Sequence, residues 1–196
     1  MHNFIKASLQ VKLKESTREL HSQIESVPLL NKIIKRNITL HEFKLLIKKF
    51  YAYIKPCENA INTLQSRHLL SNREKTNLLK NDLVALGLEE FTINERNFSP
   101  ILPPLNTHAQ VLGYMYVIEG STLGGQIIAK ILFETLNLTP ETGASFFFGY
   151  GKNTRQMWNS FCQILDTGNE SEYENETILA AKQAYTTLYD WMLTDQ

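Results

Sequence analysis

Hydrophobic residues recur every three or four positions along most of the chain, which is the spacing that places them on one face of a helix. The first stripe ends before Pro28, a residue that punctuates helices, and consists of Leu9, Leu13, Leu20, Ile24 and Val27. A second stripe precedes Pro56, which is positioned to kink its helix, and consists of Phe43, Leu46, Ile47, Phe50, Tyr51 and Ile54. No segment shows the strict alternation of a strand, so the pattern predicts an all-α protein.

Helix start signals divide the chain further. Thr39 followed by Glu42 has the capping-box spacing, and Ser71 to Glu74 repeats it, which predicts a helix running to about Leu86. Thr139-Pro140 and the segment 171–174 predict two more starts, the second opening a last helix that ends near residue 193. Glycines and prolines in 87–106 predict an extended connection, and Gly149 and Gly151 another break. The sequence therefore predicts one domain, residues 1–196, of about eight helices.

The composition limits where in the cell the protein is expected to be found. The chain has 196 residues, of which 43% are hydrophobic, which suits one globular domain. No apolar run reaches the roughly 18 residues of a membrane span, and the first residues lack the apolar stretch of a signal peptide. Cys57 and Cys162 are far apart and in no metal or redox spacing, so reduced core thiols are expected. We expect a cytoplasmic protein that makes no membrane contact.

The net charge is zero but unevenly spread. Residues 1–100 carry 16 Lys/Arg and 10 Asp/Glu, a balance of +6, whereas residues 101–196 carry 4 and 10, a balance of −6. A basic face attracts an acidic partner or an anionic ligand, although lysines on solvated helix faces are the more ordinary explanation. No nucleic-acid motif is present and the pI is near 7, so nucleic acid is not indicated.

The apolar segment 107–136 contains the sequence EGSTLGGQ at 119–126, with three glycines in six residues. Glycine inside a helix costs about 1 kcal/mol relative to alanine, so such a cluster calls for a reason. Gly120 and Gly124 are four apart and share a face, which lets either a neighbouring helix or a large flat ligand approach the backbone. The spacing alone favours a neighbouring helix over a ligand. A phosphate loop is not indicated, because the Gly-Lys-Ser/Thr ending is missing.

Among the five histidines, His21 has the most suggestive neighbour. Glu25 lies one turn further along the same helix face, where a carboxylate can accept a hydrogen bond from the imidazole Nδ1–H and leave Nε2 free for a metal. The alternative is an ordinary helical pair of neighbours. No glutamate has a histidine three residues later, as ferritin-like di-iron bundles require, and no Gly-x-Ser-x-Gly hydrolase elbow occurs.

The two segments together resemble the biliverdin-producing haem oxygenases, and the form YVxEGSxLGG resembles their bacterial branch. LKESTRELHSQIE (13–25) is similar to the family's proximal-histidine segment, and YVIEGSTLGGQ (116–126) to its distal helix. The resemblance implies a multi-helical haem oxygenase-like bundle. A single axial histidine facing a bare glycine surface is also what haem requires.

The resemblance also implies roles for individual residues. His21 would bind the iron with Glu25 as its partner, while Gly120, Ser121 and Gly124 would form the catalytic distal face. Ser121 stands where animal enzymes carry an aspartate that orders water. The haem-binding set implied by the family would be Lys14, Thr17, His21, Glu25, Tyr116, Gly120, Gly124, Gly125 and Arg155, of which Lys14, Tyr116 and Arg155 would contact the propionates. Phe146 to Phe148 would line the pocket or belong to the plain core.

The implied activity is oxidative cleavage of haem at a meso carbon to biliverdin, carbon monoxide and ferrous iron. Haem would be both cofactor and substrate, with dioxygen and an external electron donor such as a ferredoxin, a flavodoxin or a reductase. A phytochrome that binds biliverdin is a further implied partner. Two alternatives remain open from the sequence: a non-catalytic haem carrier or sensor on the same fold, and a partner-binding helical domain in which the glycines only pack a helix.

Overall fold

The computed structural model describes residues 7–88, 100–167 and 171–194, and these ranges form nine α-helices without a strand. The predicted all-α class is confirmed. The helices are α1 (Leu9–Ser16), α2 (Arg18–Glu25), α3 (Pro28–Ile34), α4 (Leu40–Asn62), α5 (Thr76–Ala85), α6 (His108–Leu136), α7 (Ser145–Phe148), α8 (Thr154–Leu165) and α9 (Ser171–Leu193). Short 3₁₀ turns at Gln65–Leu70 and Gly151–Asn153, and a π turn at Pro140–Ala144, lie between them.

The first hydrophobic stripe is divided between two helices. The chain leaves helical geometry at Thr17, where φ is −112° and ψ is 4°, and the Thr17 hydroxyl donates to the carbonyl of Leu13 at 2.8 Å. A side-chain hydroxyl bonded back to the preceding turn offers the backbone an alternative to continuing the helix. Pro28 then occupies the first position of α3, where its missing N–H costs no hydrogen bond.

Helix α4 begins and packs as predicted. Thr39 and Glu42 form the reciprocal capping box, and the helix continues through Pro56 to Asn62. The six hydrophobic residues of the second stripe are all buried, and the rings of Phe43 and Phe50 pack against Phe147 of α7. Burying such side chains contributes roughly 1.5–3 kcal/mol each, so this stripe forms much of the core.

The second predicted capping box is wrong. Ser71 ends the Gln65–Leu70 turn, Asn72 adopts a left-handed conformation with φ 60°, and α5 starts only at Thr76. The carboxylate of Glu58 caps α5 instead, accepting the backbone N–H groups of Lys75 at 2.6 Å and Thr76 at 3.1 Å. A charged acceptor from a neighbouring helix satisfies these buried donors better than a local serine hydroxyl.

Helices α6 and α9 make the most extensive contact of the fold. Gly113 allows it, because a Cβ there would lie 2.5 Å from the carbonyl oxygen of Thr177 and 2.6 Å from the Cβ of Ala180. The predicted bounds of both helices are confirmed, with Thr107 as the N-cap of α6. Two of the longest helices are thereby fixed side by side.

The connections agree with the sequence wherever the structure describes them. Gly149 and Gly151 both have φ 54° and interrupt helical geometry between α7 and α8. Residues 100–106 of the predicted connection are non-helical, and residues 89–99 lie outside the described ranges. Within those ranges every helix is too short or too polar to cross a bilayer.

Candidate active site

A cavity of about 870 Å³, counted with its open mouth, lies among α2, α3, α4, α6, α7 and α9. The lining is mainly apolar and comprises His21, Ile24, Glu25, Leu30, Phe50, Val117, Ile118, Gly120, Ser121, Thr122, Gly124, Gly125, Ile128, Phe146, Phe147, Tyr185 and Leu188. Both predicted motifs therefore contribute to one cavity.

On α2, His21 and Glu25 line the cavity one turn apart. The His21 Nδ1 and Glu25 Oε2 atoms are 3.7 Å apart, and both side chains are more than half exposed. This separation is longer than a hydrogen bond, so the expected bond between the two side chains is absent in this arrangement. The imidazole nevertheless stands at the edge of an apolar cavity with a carboxylate beside it.

Tyr185 on α9 is a cavity residue that the sequence did not reveal. Its ring meets the His21 ring edge-on, with centroids 6.1 Å apart and an interplanar angle of 72°. Burial raises the pKa of its hydroxyl, and nearby Tyr116 and Glu25 raise it further, so the tyrosine stays neutral at physiological pH. A tyrosine on a helix with an apolar face is usually core, and only the folded arrangement brings this one to His21.

The glycines of α6 differ in what lies beside them. A Cβ on Gly124 would meet nothing within 4 Å, and one on Gly120 would make an ordinary 3.5 Å contact with the Trp158 ring. A Cβ on Gly125 would lie only 2.7 Å from the carbonyl oxygen of Phe147. Close packing of the chain therefore explains Gly113 and Gly125, whereas Gly124 leaves the helix bare toward open space.

Two hydroxyl-bearing residues of α6, Ser121 and Thr122, line the same cavity. Ser121 Oγ donates to the carbonyl of Ile118 at 2.8 Å, and Thr122 Oγ1 donates to that of Glu119 at 2.6 Å. A hydroxyl that donates its proton to the helix keeps two acceptor lone pairs. These oxygens can therefore accept hydrogen bonds from water or ligand.

Four residues of the predicted haem-binding set lie outside the cavity lining. Lys14 is exposed in the last turn of α1, and Arg155 is exposed near the start of α8. Thr17 and Tyr116 are buried. Burial raises the pKa of Tyr116, and a hydrogen bond with the Thr17 side chain partly opposes this. The two pairs thus sit in different surroundings, one solvated and one internal.

The phenylalanine run contributes to both the cavity and the core, and Asp82 holds it in place. Phe146 and Phe147 are buried and line the cavity, whereas Phe148 is exposed. The Asp82 carboxylate accepts the backbone N–H groups of Ser145 at 2.7 Å and Phe146 at 2.8 Å, which caps α7. Sequence patterns do not reveal this role, because Asp82 lies inside α5 and its partners are more than 60 residues away.

Asp82→Ala is expected to destabilise the protein and loosen this wall of the cavity. The change leaves two N–H groups without their acceptor, at a cost of about 1–3 kcal/mol each when buried. Urea unfolding measures the loss, with Asp190→Ala on the exposed side of α9 as the control, expected within about 0.5 kcal/mol of wild type. Equal stabilities for the two variants would contradict the role given to Asp82.

The arrangement suits a large, flat, mainly apolar ligand with a metal at its centre. Among the residues that the structure describes, no group of three or more His, Cys, Asp or Glu side chains could hold a metal ion. The bare surface at Gly124 admits such a ligand close to the helix backbone.

Sequence comparison matches the chain to one family model. The model of the family described as "Heme oxygenase" matches residues 7–107 and 101–194, which is nearly the whole chain. No curated protein matches the chain.

Solved structures share the fold. The heme oxygenase of Leptospira interrogans is 18% identical, with a TM-score of 0.79 over 95% of this chain and 98% of its own. The NO- and CO-bound heme oxygenase of Neisseria meningitidis is 19% identical, with a TM-score of 0.76 over 94% and 90%. Heme oxygenase-1 of the cyanobacterium Synechocystis, solved in complex with heme, is 18% identical, with a TM-score of 0.72 over 95% and 91%. At these identities the likeness establishes the fold.

Proposed function

This chain belongs to the haem oxygenase family, and from that premise we propose that it cleaves haem oxidatively at a meso carbon, releasing biliverdin, carbon monoxide and ferrous iron. The observation that carries the proposal is one apolar cavity that receives His21 from α2 and the bare Gly124 surface from α6. Neither motif alone is specific, but their convergence on one apolar cavity supports a haem site.

Each cavity residue has a physical task in this proposal. The imidazole of His21 would bind the iron, with Tyr185 limiting its rotation by an edge-on contact and Glu25 supplying negative charge beside it. Gly120 and Gly124 would let the α6 backbone approach the opposite face of the ring, and Gly125 would hold α6 against α7. When bound, haem supplies the oxygen-activating chemistry, and the protein supplies binding, orientation and electrostatics.

Ser121 and Thr122 would anchor water on the distal face. Both hydroxyl protons are engaged by helix carbonyls, so their oxygens are left to accept hydrogen bonds from water. Ordered water held this way can deliver protons to the reaction without an aspartate. Ser121 would thus hold water by accepting a hydrogen bond from it, and not through the charge of a carboxylate.

The reaction also needs dioxygen and electrons from outside the chain. A ferredoxin, a flavodoxin or a reductase would supply the electrons, and the balance of +6 in residues 1–100 favours an acidic donor. Biliverdin would pass to a consumer such as a phytochrome, or its formation would serve to release iron.

A single titration tests the proposed function. Hemin is added to the purified protein, and the Soret band is recorded; ascorbate is then added in air. Conversion of the Soret band into biliverdin absorbance, which is absent when hemin and ascorbate are mixed without protein, is the expected result. A stable Soret band would instead indicate a non-catalytic haem carrier or sensor. Failure to bind hemin would indicate a helical domain of another kind.

Lys14, Tyr116 and Arg155, which the family resemblance assigns to the propionates and which lie outside the cavity lining, are expected to select which meso carbon is cleaved. The porphyrin core is nearly four-fold symmetric, so the iron ligand cannot fix its rotation, whereas charge-assisted bonds to the propionates contribute roughly 1.5–3 kcal/mol each. A tenfold preference between two rotations requires only about 1.4 kcal/mol. Lys14→Ala should therefore bind haem somewhat more weakly and yield mixed biliverdin isomers, separable by chromatography.

Lys12 provides the matched control for that experiment. It lies on the same helix, but its ammonium is paired with Glu174 at 2.5 Å, so Lys12→Ala should keep the wild-type isomer ratio. Wild-type ratios in Lys14→Ala, Tyr116→Phe and Arg155→Ala alike would leave the shape of the cavity as the determinant.

A further inference from the structure

A cluster of buried charged side chains contacts α6 at its glycine segment, residues 119–126, on the side of the helix away from the cavity. Glu119 Oε2 is 2.5 Å from Arg73 Nη1, and Glu119 Oε1 is 2.6 Å from Lys75 Nζ. The hydroxyl of Tyr150 donates to Glu119 Oε1 at 2.8 Å. The three charged side chains are each no more than 7% exposed. We call Glu119, Arg73, Lys75 and Tyr150 the Glu119 cluster.

The Glu119 cluster connects α6 to two other parts of the fold. Arg73 Nη2 donates to Ser160 Oγ at 2.7 Å and Arg73 Nη1 to the carbonyl of Met157 at 3.1 Å, both on α8. Lys75 stands at the start of α5, where Glu58 accepts its backbone N–H. One carboxylate therefore fixes α6 relative to α5 and α8 at once.

The position of Glu119 on α6 explains why this matters for the cavity. Val117 and Ser121 line the cavity, and a residue two positions away lies about 200° round the helix, so Glu119 projects from the opposite side. At Gly124 the cavity side carries no side chain that could anchor the helix. Besides the packing of Gly125 on Phe147, the placement of this segment therefore depends on contacts on the side of α6 away from the cavity.

The cluster also places an aromatic side chain beside the glycines. Trp158 lies between Met157 and Ser160, the two residues held by Arg73, and its ring would be 3.5 Å from a Cβ on Gly120. The same ring packs against Tyr116, with centroids 5.8 Å apart. A shift of Arg73 would therefore reach Trp158 and the Gly120 surface together.

The energetics of the Glu119 cluster favour a role in positioning α6 over a role in raising the free energy of unfolding. Burial lowers the pKa of Lys75, and the charge of Glu119 opposes this. Taking such charges out of water offsets much of their attraction, so a buried ion pair is weak evidence for stability, whereas its directional bonds permit few arrangements. Removing one partner leaves the others buried and unpaired.

We propose that Glu119 is a positioning residue for haem cleavage: the Glu119 cluster fixes where the glycine segment of α6 lies over the bound ring and holds Trp158 beside Gly120. The inference rests on the proposed function of the cavity. It assigns a task to a charged residue that does not itself line the cavity.

Glu119→Gln tests the proposal by two readouts other than turnover. In the haem-free protein, amide hydrogen exchange in residues 117–125 should accelerate by about tenfold relative to residues 43–54 of α4. In the ferrous haem complex, the carbon–oxygen stretching band of added carbon monoxide should shift or split, because the distal surface moves. Arg73→Lys keeps the charge but shortens the reach to Ser160, so the same band should change there, and Glu119→Asp should restore part of the wild-type signal.

Lys49→Met is the matched control. Lys49 is also buried and donates to the carbonyls of Trp191 at 3.0 Å and Thr194 at 2.7 Å, at the end of α9. Its replacement should lower the free energy of unfolding without accelerating amide exchange in residues 117–125 relative to the wild type and without changing the carbon monoxide band. The proposal is overturned if Glu119→Gln leaves both readouts at wild-type values, or if Lys49→Met changes them equally. If the wild-type protein does not turn haem over, the proposed function is refuted. The exchange result still stands, because it is obtained on the haem-free protein.

Discussion

His21→Ala is expected to leave the protein folded but to remove the axial iron ligand and abolish haem turnover. The side chain is more than half exposed, so its truncation creates no core cavity, and the free energy of unfolding should change by less than about 0.5 kcal/mol. Hemin should still enter the apolar cavity but lose the histidine-ligated spectrum. We expect turnover to fall by at least about 100-fold, equivalent to roughly 2.7 kcal/mol.

Added imidazole and a second histidine make this result specific. Imidazole is small enough to enter the space left by the side chain and should restore part of the ligated spectrum. His41→Ala, at an exposed position in the first turn of α4, should behave as wild type. An unchanged iron–histidine band in the resonance Raman spectrum of His21→Ala would show that another residue binds the iron.

Gly124→Leu is expected to separate stability from function. Nothing lies within 4 Å of a Cβ at this position, so the substitution begins without a clash at its Cβ and gains up to about 1 kcal/mol of helix propensity. The added side chain would occupy the space that we assign to the distal face of the ring. Hemin affinity or carbon monoxide association should therefore fall at least about tenfold, or about 1.4 kcal/mol, while thermal stability is kept or increased.

Gly125→Ala is the matched variant one residue away. Its Cβ would lie 2.7 Å from the carbonyl oxygen of Phe147, so stability should fall even though only one methyl group is added. Opposite signs of the stability change at adjacent glycines are the expected pattern. A Gly124→Leu protein that is more stable and also fully active would assign these glycines to helix packing alone.

Local patterns predicted the helices well where the physics is local. The six residues of the second stripe are buried, the Thr39–Glu42 capping box forms, and α6 and α9 have the predicted bounds. Hydrophobic periodicity and side-chain caps act over a few residues, so the sequence displays them directly. The single helix expected before Pro28 divides at Thr17, where the backbone leaves helical geometry, and the hydrophobic stripe carries no signal of this break.

The predicted capping box at Ser71 shows where local reasoning fails. Its spacing is correct, but Glu58, 17 residues before Lys75, supplies the acceptor for the start of α5. The side chains of Arg73 and Lys75 turn inward to Glu119, more than 40 residues later. Contacts at such separations follow from packing, and periodicity carries no information about them.

By itself the sequence determined the helices, the two motifs and the resemblance that joins them, because periodicity, caps and family motifs are properties of short segments. Only the tertiary structure decided that His21 and Gly124 line one cavity and that the Tyr185 ring contacts the His21 ring. It alone also decided that Glu119 pairs with Lys75. It also decided which glycines pack and which face open space. The physical reason is that a glycine or a charge has the same sequence signature in both surroundings, and its role depends on neighbours that distant segments supply.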